Sequence, residues 1–171
     1  MPSMGIAPAI GGAVDFFLKI DGIEGESADS KHKNEIDLVS WSFGASQGGT
    51  MAHGGGGGAG KVSMQDIHFV KSLDKSSPKL MLACANGEHI KKAVLIARKA
   101  GKDQQEYLKI TLSDILISSF NTSGSGQGGH PVDEVSLNFA KIEMEYKEQK
   151  ADGSLGGVVK TGYDLKQMKA V

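Results

Sequence analysis

Apolar and polar residues alternate along most of the chain. Asp15–Ile20 sets Phe16, Leu18 and Ile20 on one side of an extended segment. Asp21-Gly22 ends that segment in a turn. Further strands are predicted over Lys33–Phe43, Lys61–Val70, Ala93–Arg98, Tyr107–Phe120, Glu134–Tyr146 and Val158–Met168. Ala93–Arg98 is a nearly continuous apolar run, the pattern of a strand covered on both faces. Near the end, Val159, Thr161, Tyr163 and Leu165 alternate with Lys160, Asp164 and Lys166. Ala151–Gly157, just before them, offers residues that tolerate positive φ, so the last two long strands are expected to form a hairpin.

One helix interrupts the strands. Ser76-Ser77-Pro78 reads as an N-cap followed by proline in the first turn, and Asn86-Gly87 as a left-handed C-cap. At two to three turns it cannot persist alone and must pack on the sheet.

The alternation also slips. The apolar phase is even at Leu108, Ile110 and Leu112, then odd at Ile115 and Ile117. It is odd at Val135, Leu137 and Phe139, then even at Ile142, Met144 and Tyr146. A third slip separates Val62 and Met64 from Ile67 and Phe69. Each slip flips faces, so a bulge must absorb it or the strand must bend from one sheet into another. Three of them predict a strongly curved, mainly β structure: a barrel or a tight two-sheet sandwich.

Composition narrows the class. A chain of 171 residues with 39% hydrophobic and 23% charged positions can bury one core and is not globally disordered. The first 13 residues are small or apolar, include two prolines, and read as an N-terminal arm before a single domain over 14–171. A net charge of −1 without a long basic run argues against nucleic-acid binding. No apolar stretch is long enough to span a membrane as a helix. The lone Cys84 excludes an intrachain disulfide and any multi-cysteine zinc cluster. The first residues carry no basic region and no sustained apolar core of a cleavable leader. Synthesis in the cytoplasm, with any export by a route that reads no leader, is expected.

Catalytic motifs fail on context. Gly55–Lys61 has the spacing of a P-loop, but Val62 stands where a magnesium-holding hydroxyl is required, and a strand follows. Gly124, Gly126 and Gly129 match GxGxxG but lead through His130-Pro131 into another strand. The histidines at 32, 53, 68, 89 and 130 are scattered, and Cys84 with His89 is too small a ligand set for structural zinc. Glu143 and Glu145, flanked by Lys141 and Lys147, read as a solvated strand face. No GxSxG elbow joins a strand to a helix. No catalytic residue, cofactor or metal is expected.

Two low-complexity stretches stand out. Asn121–Gly129 is rich in serine and glycine, and Gly44–Gly60 holds nine glycines in 17 residues, five of them consecutive at Gly54–Gly58. Just before the second, Trp41 and Phe43 alternate with Ser40 and Ser42. The aromatics are expected to anchor in the core, leaving a small, polar opposite face.

These residues also carry a resemblance. Phe17–Ile20 with Gly25-Glu26-Ser27, Glu35–Asp37 to Trp41-Ser42, the Gly54–Gly58 tract running into Gly60-Lys61-Val62, and Asp74–Pro78 resemble the Hcp family of type VI secretion. So do Arg98–Gly101, Tyr107–Leu112, Leu137–Ala140, Gln149–Gly153 and Val159–Tyr163. The arm, Met1–Ala13, departs from the family pattern. The resemblance implies a non-enzymatic building block: two sheets in a partly closed β-barrel, one short flanking helix and a long glycine-rich loop. It implies hexameric rings that stack into the inner tube of a contractile apparatus, are exported through it, and can hold small effectors in the lumen. Implied partners are further copies of the chain, a spike protein, the sheath and small effectors, without nucleic acid or membrane insertion. Within this frame Gly48, Gly49, Thr50, Met51, His53, Gly54, Gly56 and Gly58 are candidates for a ring-stacking loop, and Ser40 and Ser42 for the lumen wall. The competing reading is a monomeric small-ligand-binding barrel with the glycine loop as lid.

Overall fold

The computed structural model describes residues 13–49, 61–99 and 104–171. The chain runs through β1 (Val14–Ile20), β2 (Ile36–Leu38), β3 (Ser40–Ser42), β4 (Ala45–Gln47), β5 (Val62–Met64), β6 (Ile67–Ser72) and α1 (Ser76–Asn86). It continues with β7 (Ile90–Lys99), β8 (Glu106–Ser123), β9 (Val132–Gln149), β10 (Leu155–Asp164) and β11 (Lys169–Ala170).

Among the described residues, nine strands join in one antiparallel sheet, and β4 and β5 form a separate two-stranded ribbon. The main path runs β11-β10-β9-β8-β7-β1-β2, with β6 also on β9 and β3 on β6. β2 and β3 are one extended segment broken at Val39, whose N–H turns to the carbonyl of Val70 in β6. That corner carries the chain from the β1 side to the β6 side and leaves the barrel only partly closed.

The phase slips have two structural answers. The β8–β9 ladder stays in step across the first two, pairing Ser113 with Lys141 and then Ile115 with Phe139. Asp114, between them, takes φ 55, a left-handed conformation that aspartate tolerates better than most residues. Both strands change core face together there, so the hairpin bends as a unit. Its proximal half lies between β7 and β10, and β6 pairs with the distal half of β9. A true bulge sits further out, between Ile117 and Ser119. The third slip is a break: β5 ends at Met64, β6 begins at Ile67, and each pairs with a different neighbour.

Three predicted boundaries change. Lys33–Phe43 is not one strand, because Asn34 adopts φ 63 in a turn and Val39 forms the corner. Lys61–Val70 is divided by the break at Gln65-Asp66. The final strand ends at Asp164, whose carboxylate accepts the amides of Lys166 and Gln167. The resulting turn folds β11 back so that Ala170 pairs with Tyr163.

The helix also starts differently. Lys75 occupies the cap position without a side-chain bond. The Asp74 carboxylate accepts the Ser76 N–H at 2.8 Å instead, supplying the acceptor that a helix start needs. Ser76 and Ser77 are the first helical residues and are buried. Gly87 closes the helix in the left-handed region, as its sequence predicts. The core is apolar and filled: Leu18, Ile36, Ile67, Phe69, Leu95, Ile110, Ile115, Val135 and Leu137 are all essentially inaccessible, and Leu80 and Ala83 bring the helix onto it.

Candidate functional site

The residues singled out for function lie on the short-strand side of the barrel. In β3, Ser40 and Ser42 are exposed, and Trp41 between them is half-buried against the core. Trp41 meets Phe16 edge to face, and Phe43 tilts against Phe139. The alternation arises because β3 pairs with β6, Trp41 opposite Phe69 and Ser42 opposite His68.

The ladders extend that outer face across three more strands. Ser42, His68, Ser136 and Ser119 form one row, and Ser40, Val70, Glu134 and Asn121 the next. His68 Nδ1 lies 3.2 Å from the Ser136 hydroxyl. Beside these rows Asp66 accepts from Ser118 at 2.6 Å and from Asn138 at 2.9 Å. Mostly short polar side chains, with His68, Val70 and Glu134 among them, therefore line a broad, water-facing surface without a lysine or arginine in either row.

The glycine-rich segment leaves this side on the β4–β5 ribbon. Gln65 donates its amide to the Gly44 carbonyl at 2.8 Å, fixing the base. Gly48 and Gly49 are exposed, with open space around each. Thr50, Met51, His53, Gly54, Gly56 and Gly58 lie outside the described residues. The structure thus places Ser40 and Ser42 on one surface and the two described loop glycines on a separate ribbon.

Two buried charge clusters hold this surface in place. Lys71 and Asp133 are both fully inaccessible, and their 2.7 Å ion pair joins β6 to β9. Lys71 also donates to Asp74 at 2.8 Å and to the Ser77 hydroxyl at 3.0 Å. Ser77 donates in turn to Asp133. Burial opposes ionisation of Asp133, yet Lys71, Ser77 and Thr122 together hold it below the usual carboxylate range. A hydroxyl beside an amine could suggest a nucleophile and its base. Here both are sealed from substrate and spent on joining α1 to the sheet.

The second cluster orders the long connection between β1 and β2. Arg98 clamps Asp29 with two bonds of 2.8 and 2.9 Å and reaches Asp15 at 3.1 Å. The guanidinium holds the Asp29 carboxyl down to about 2. It lies 4.7 Å from the centre of the Phe17 ring, on which His32 also stacks. The two His32 ring nitrogens sit 2.9 Å from Glu35 and 2.6 Å from Glu106. Gly25 is required because its backbone passes against the next turn: a Cβ there would meet the Glu35 carbonyl oxygen at 2.5 Å. Glu26 then accepts the Lys75 amide at 2.9 Å, linking this connection to the start of α1.

Sequence reading missed both clusters as units, although one left a signal. Lys71 follows Ile67 and Phe69 in the core phase of β6, and Asp133 precedes Val135 and Leu137 in the core phase of β9. Opposite charges on inward positions of two strands are a buried pair in waiting. Arg98 gave less warning, closing an apolar run whose partners lie 69 and 83 residues away. Among the described residues, no group of three His, Cys, Asp or Glu side chains could hold a metal ion.

A family model described as "Type VI secretion system effector, Hcp" matches residues 17–146. The chain is 52% identical over 157 residues to protein hcp1 of Pseudomonas aeruginosa, covering 91% of this chain and 97% of that one. Among solved structures, it is 39% identical to Hcp1 from Salmonella typhimurium, with a TM-score of 0.77 and coverage of 93% and 99%. A structure described as a type six secretion system protein matches with a TM-score of 0.88 at 27% identity, covering 93% of this chain and 100% of that one.

Proposed function

The chain belongs to the Hcp family of type VI secretion system effectors, and on that premise we propose that it is a mechanical subunit rather than a catalyst. It closes into hexameric rings, the rings stack into the inner tube of the secretion apparatus, and the tube is exported with small effectors in its lumen. The observation that carries this reading is the 52% identity to protein hcp1 along nearly the whole of both chains. The filled apolar core agrees with it.

The physics of such an assembly follows from symmetry. A head-to-tail contact that closes after six copies gives a ring with two different faces. Ring on ring is then also head-to-tail and does not close, so the product is a tube. The glycine-rich segment leaves on its own ribbon and docks on the next ring. Ordering glycine costs more chain entropy than ordering other residues. One docked loop is therefore weak, and six engaged together are strong. That balance suits a tube that assembles on nucleation and disperses after release.

The outer rows around Ser42 form the lumen wall. Their mostly short polar side chains leave room for cargo and offer hydrogen bonds, with Glu134 the one carboxylate among them. Two experiments test the assignment. Deleting Met51–Ala59 is expected to leave rings and abolish tubes by electron microscopy; undiminished tubes would refute the loop's role. Ser42→Gln is expected to leave rings intact and lower effector recovery in pull-downs. Poor ring formation by that variant would place Ser42 in a subunit contact instead.

A further inference from the structure

The two outward sheet faces differ in charge. The proximal face, across β8, β9 and β10, sets opposite charges side by side. Lys109 pairs with Glu145, Glu145 with Lys160, and Lys141 with Asp164. The distal face runs from β3 through β6 and β9 to the outer half of β8. Of the chain's 19 lysines and arginines, none projects from the distal face among the described residues. Its two carboxylates, Asp66 and Glu134, therefore stand without a lysine or arginine beside them.

Both acids are placed to meet a partner. Asp66 accepts from Ser118 at 2.6 Å and from Asn138 at 2.9 Å, which holds its carboxylate at this surface. Glu134 is exposed and lies opposite Val70 in β6. Leu116, opposite Asn138 in the β8–β9 ladder, is 41% exposed. The face thus offers charge of one sign beside two apolar contacts. Such a surface attracts the opposite charge and turns away its own. In a closed ring, two carboxylates from each of six subunits face one enclosed space, where the field is stronger than over an open surface.

We infer, resting on the lumen reading above, that this face takes effectors through a surface rich in lysine or arginine. The cationic groups of the cargo meet Glu134 and Asp66, and Val70 and Leu116 receive its apolar side chains. Acidic proteins and nucleic acids are turned away by the same two carboxylates. The contact is made at accessible charges, so salt weakens it: exposed charges more than about 8 Å apart are largely screened at physiological ionic strength.

The test measures binding to the assembled full chain by fluorescence anisotropy. The probes are a short labelled peptide of lysine and serine and its glutamate–serine counterpart. At low salt the lysine peptide is expected to bind about tenfold more tightly than the glutamate peptide. Asp66→Asn with Glu134→Gln is expected to cut that preference to about twofold or less. Glu143→Gln with Glu145→Gln changes net charge equally on the proximal face and is expected to leave the preference intact. Glu134→Gln alone sits at an exposed position and keeps the test open if Asp66→Asn disturbs the fold. It is expected to weaken lysine-peptide binding about threefold. Equal binding of the two peptides, or an equal loss in both double variants, would overturn the inference. Class-averaged images of the same samples separate the two levels. Rings that show no preference overturn the charge assignment and leave the lumen reading in place, whereas absence of rings removes both.

Discussion

The two faces of the β6–β9 pair behave oppositely within three residues of each other. On the inner face the Lys71–Asp133 ion pair is fully buried and locked together at 2.7 Å. On the outer face His68 and Ser136 share one bond of 3.2 Å at a half-buried surface, beside exposed Ser42. The inner charges cannot meet a partner and fix the position of α1. The outer polar groups face water. Charge alone therefore does not mark function in this fold, since the buried pair is structural.

The largest test of that contrast removes one inner charge. Lys71→Met leaves Asp133 buried without its cation and is expected to cost about 3–5 kcal/mol in denaturant unfolding. Lys71→Met combined with Asp133→Leu is expected to recover much of the loss, because an apolar pair of similar volume replaces the ion pair. A double variant as unstable as the single would show that the pair does more than satisfy itself.

Gly25→Ala probes the connection that supports the same helix from the other side. The added methyl meets backbone at 2.5 Å, which is expected to cost about 1–3 kcal/mol by thermal unfolding. Unchanged stability would mean that this connection shifts freely.

Acid gives a smaller and graded effect. The Asp29 carboxyl titrates near 2 when folded, below its usual 3.8. A depressed carboxylate contributes stability that is present above the unfolded value and lost as pH falls from about 4 towards 2. Asp133 shifts in the same direction. Asp29→Asn should therefore flatten the stability curve over that window and leave its slope above pH 5 unchanged. An unaltered acid limb would remove Asp29 from the account.

The smallest effect on stability belongs to the outer face. Ser42→Gln is expected to change unfolding free energy by less than about 0.5 kcal/mol, while altering cargo retention. A large loss of stability would erase the distinction between the two faces.

How much of this was legible in the sequence varies by element, for physical reasons. Strands with one wet face announced themselves by alternation, as β3 did through Trp41 and its flanking serines. The curved hairpin was legible because a bend must flip the apolar phase, and Leu112 to Ile115 records the flip. Its cause, Asp114 at φ 55, was not, since the backbone choice depends on both strands turning together. The corner at Val39 was hidden because an exposed valine looks like any strand residue. Ser76 looked like a cap because serine often is one, yet it is the first helical residue and donates its own amide to Asp74. Of the candidate surface, Ser40 and Ser42 could be placed on one face from their spacing. The rows that extend it to His68, Ser136 and Ser119 depend on register between distant strands, which a linear pattern does not carry.

The central claim is that this chain works by closing on copies of itself. Solution mass of the purified full chain, with class-averaged images of the same sample, tests it most directly. The account predicts a particle six times the 17.9 kDa of one chain, seen as a six-fold ring around an open centre. A stable monomer at high concentration, with no ring in any class, would contradict it.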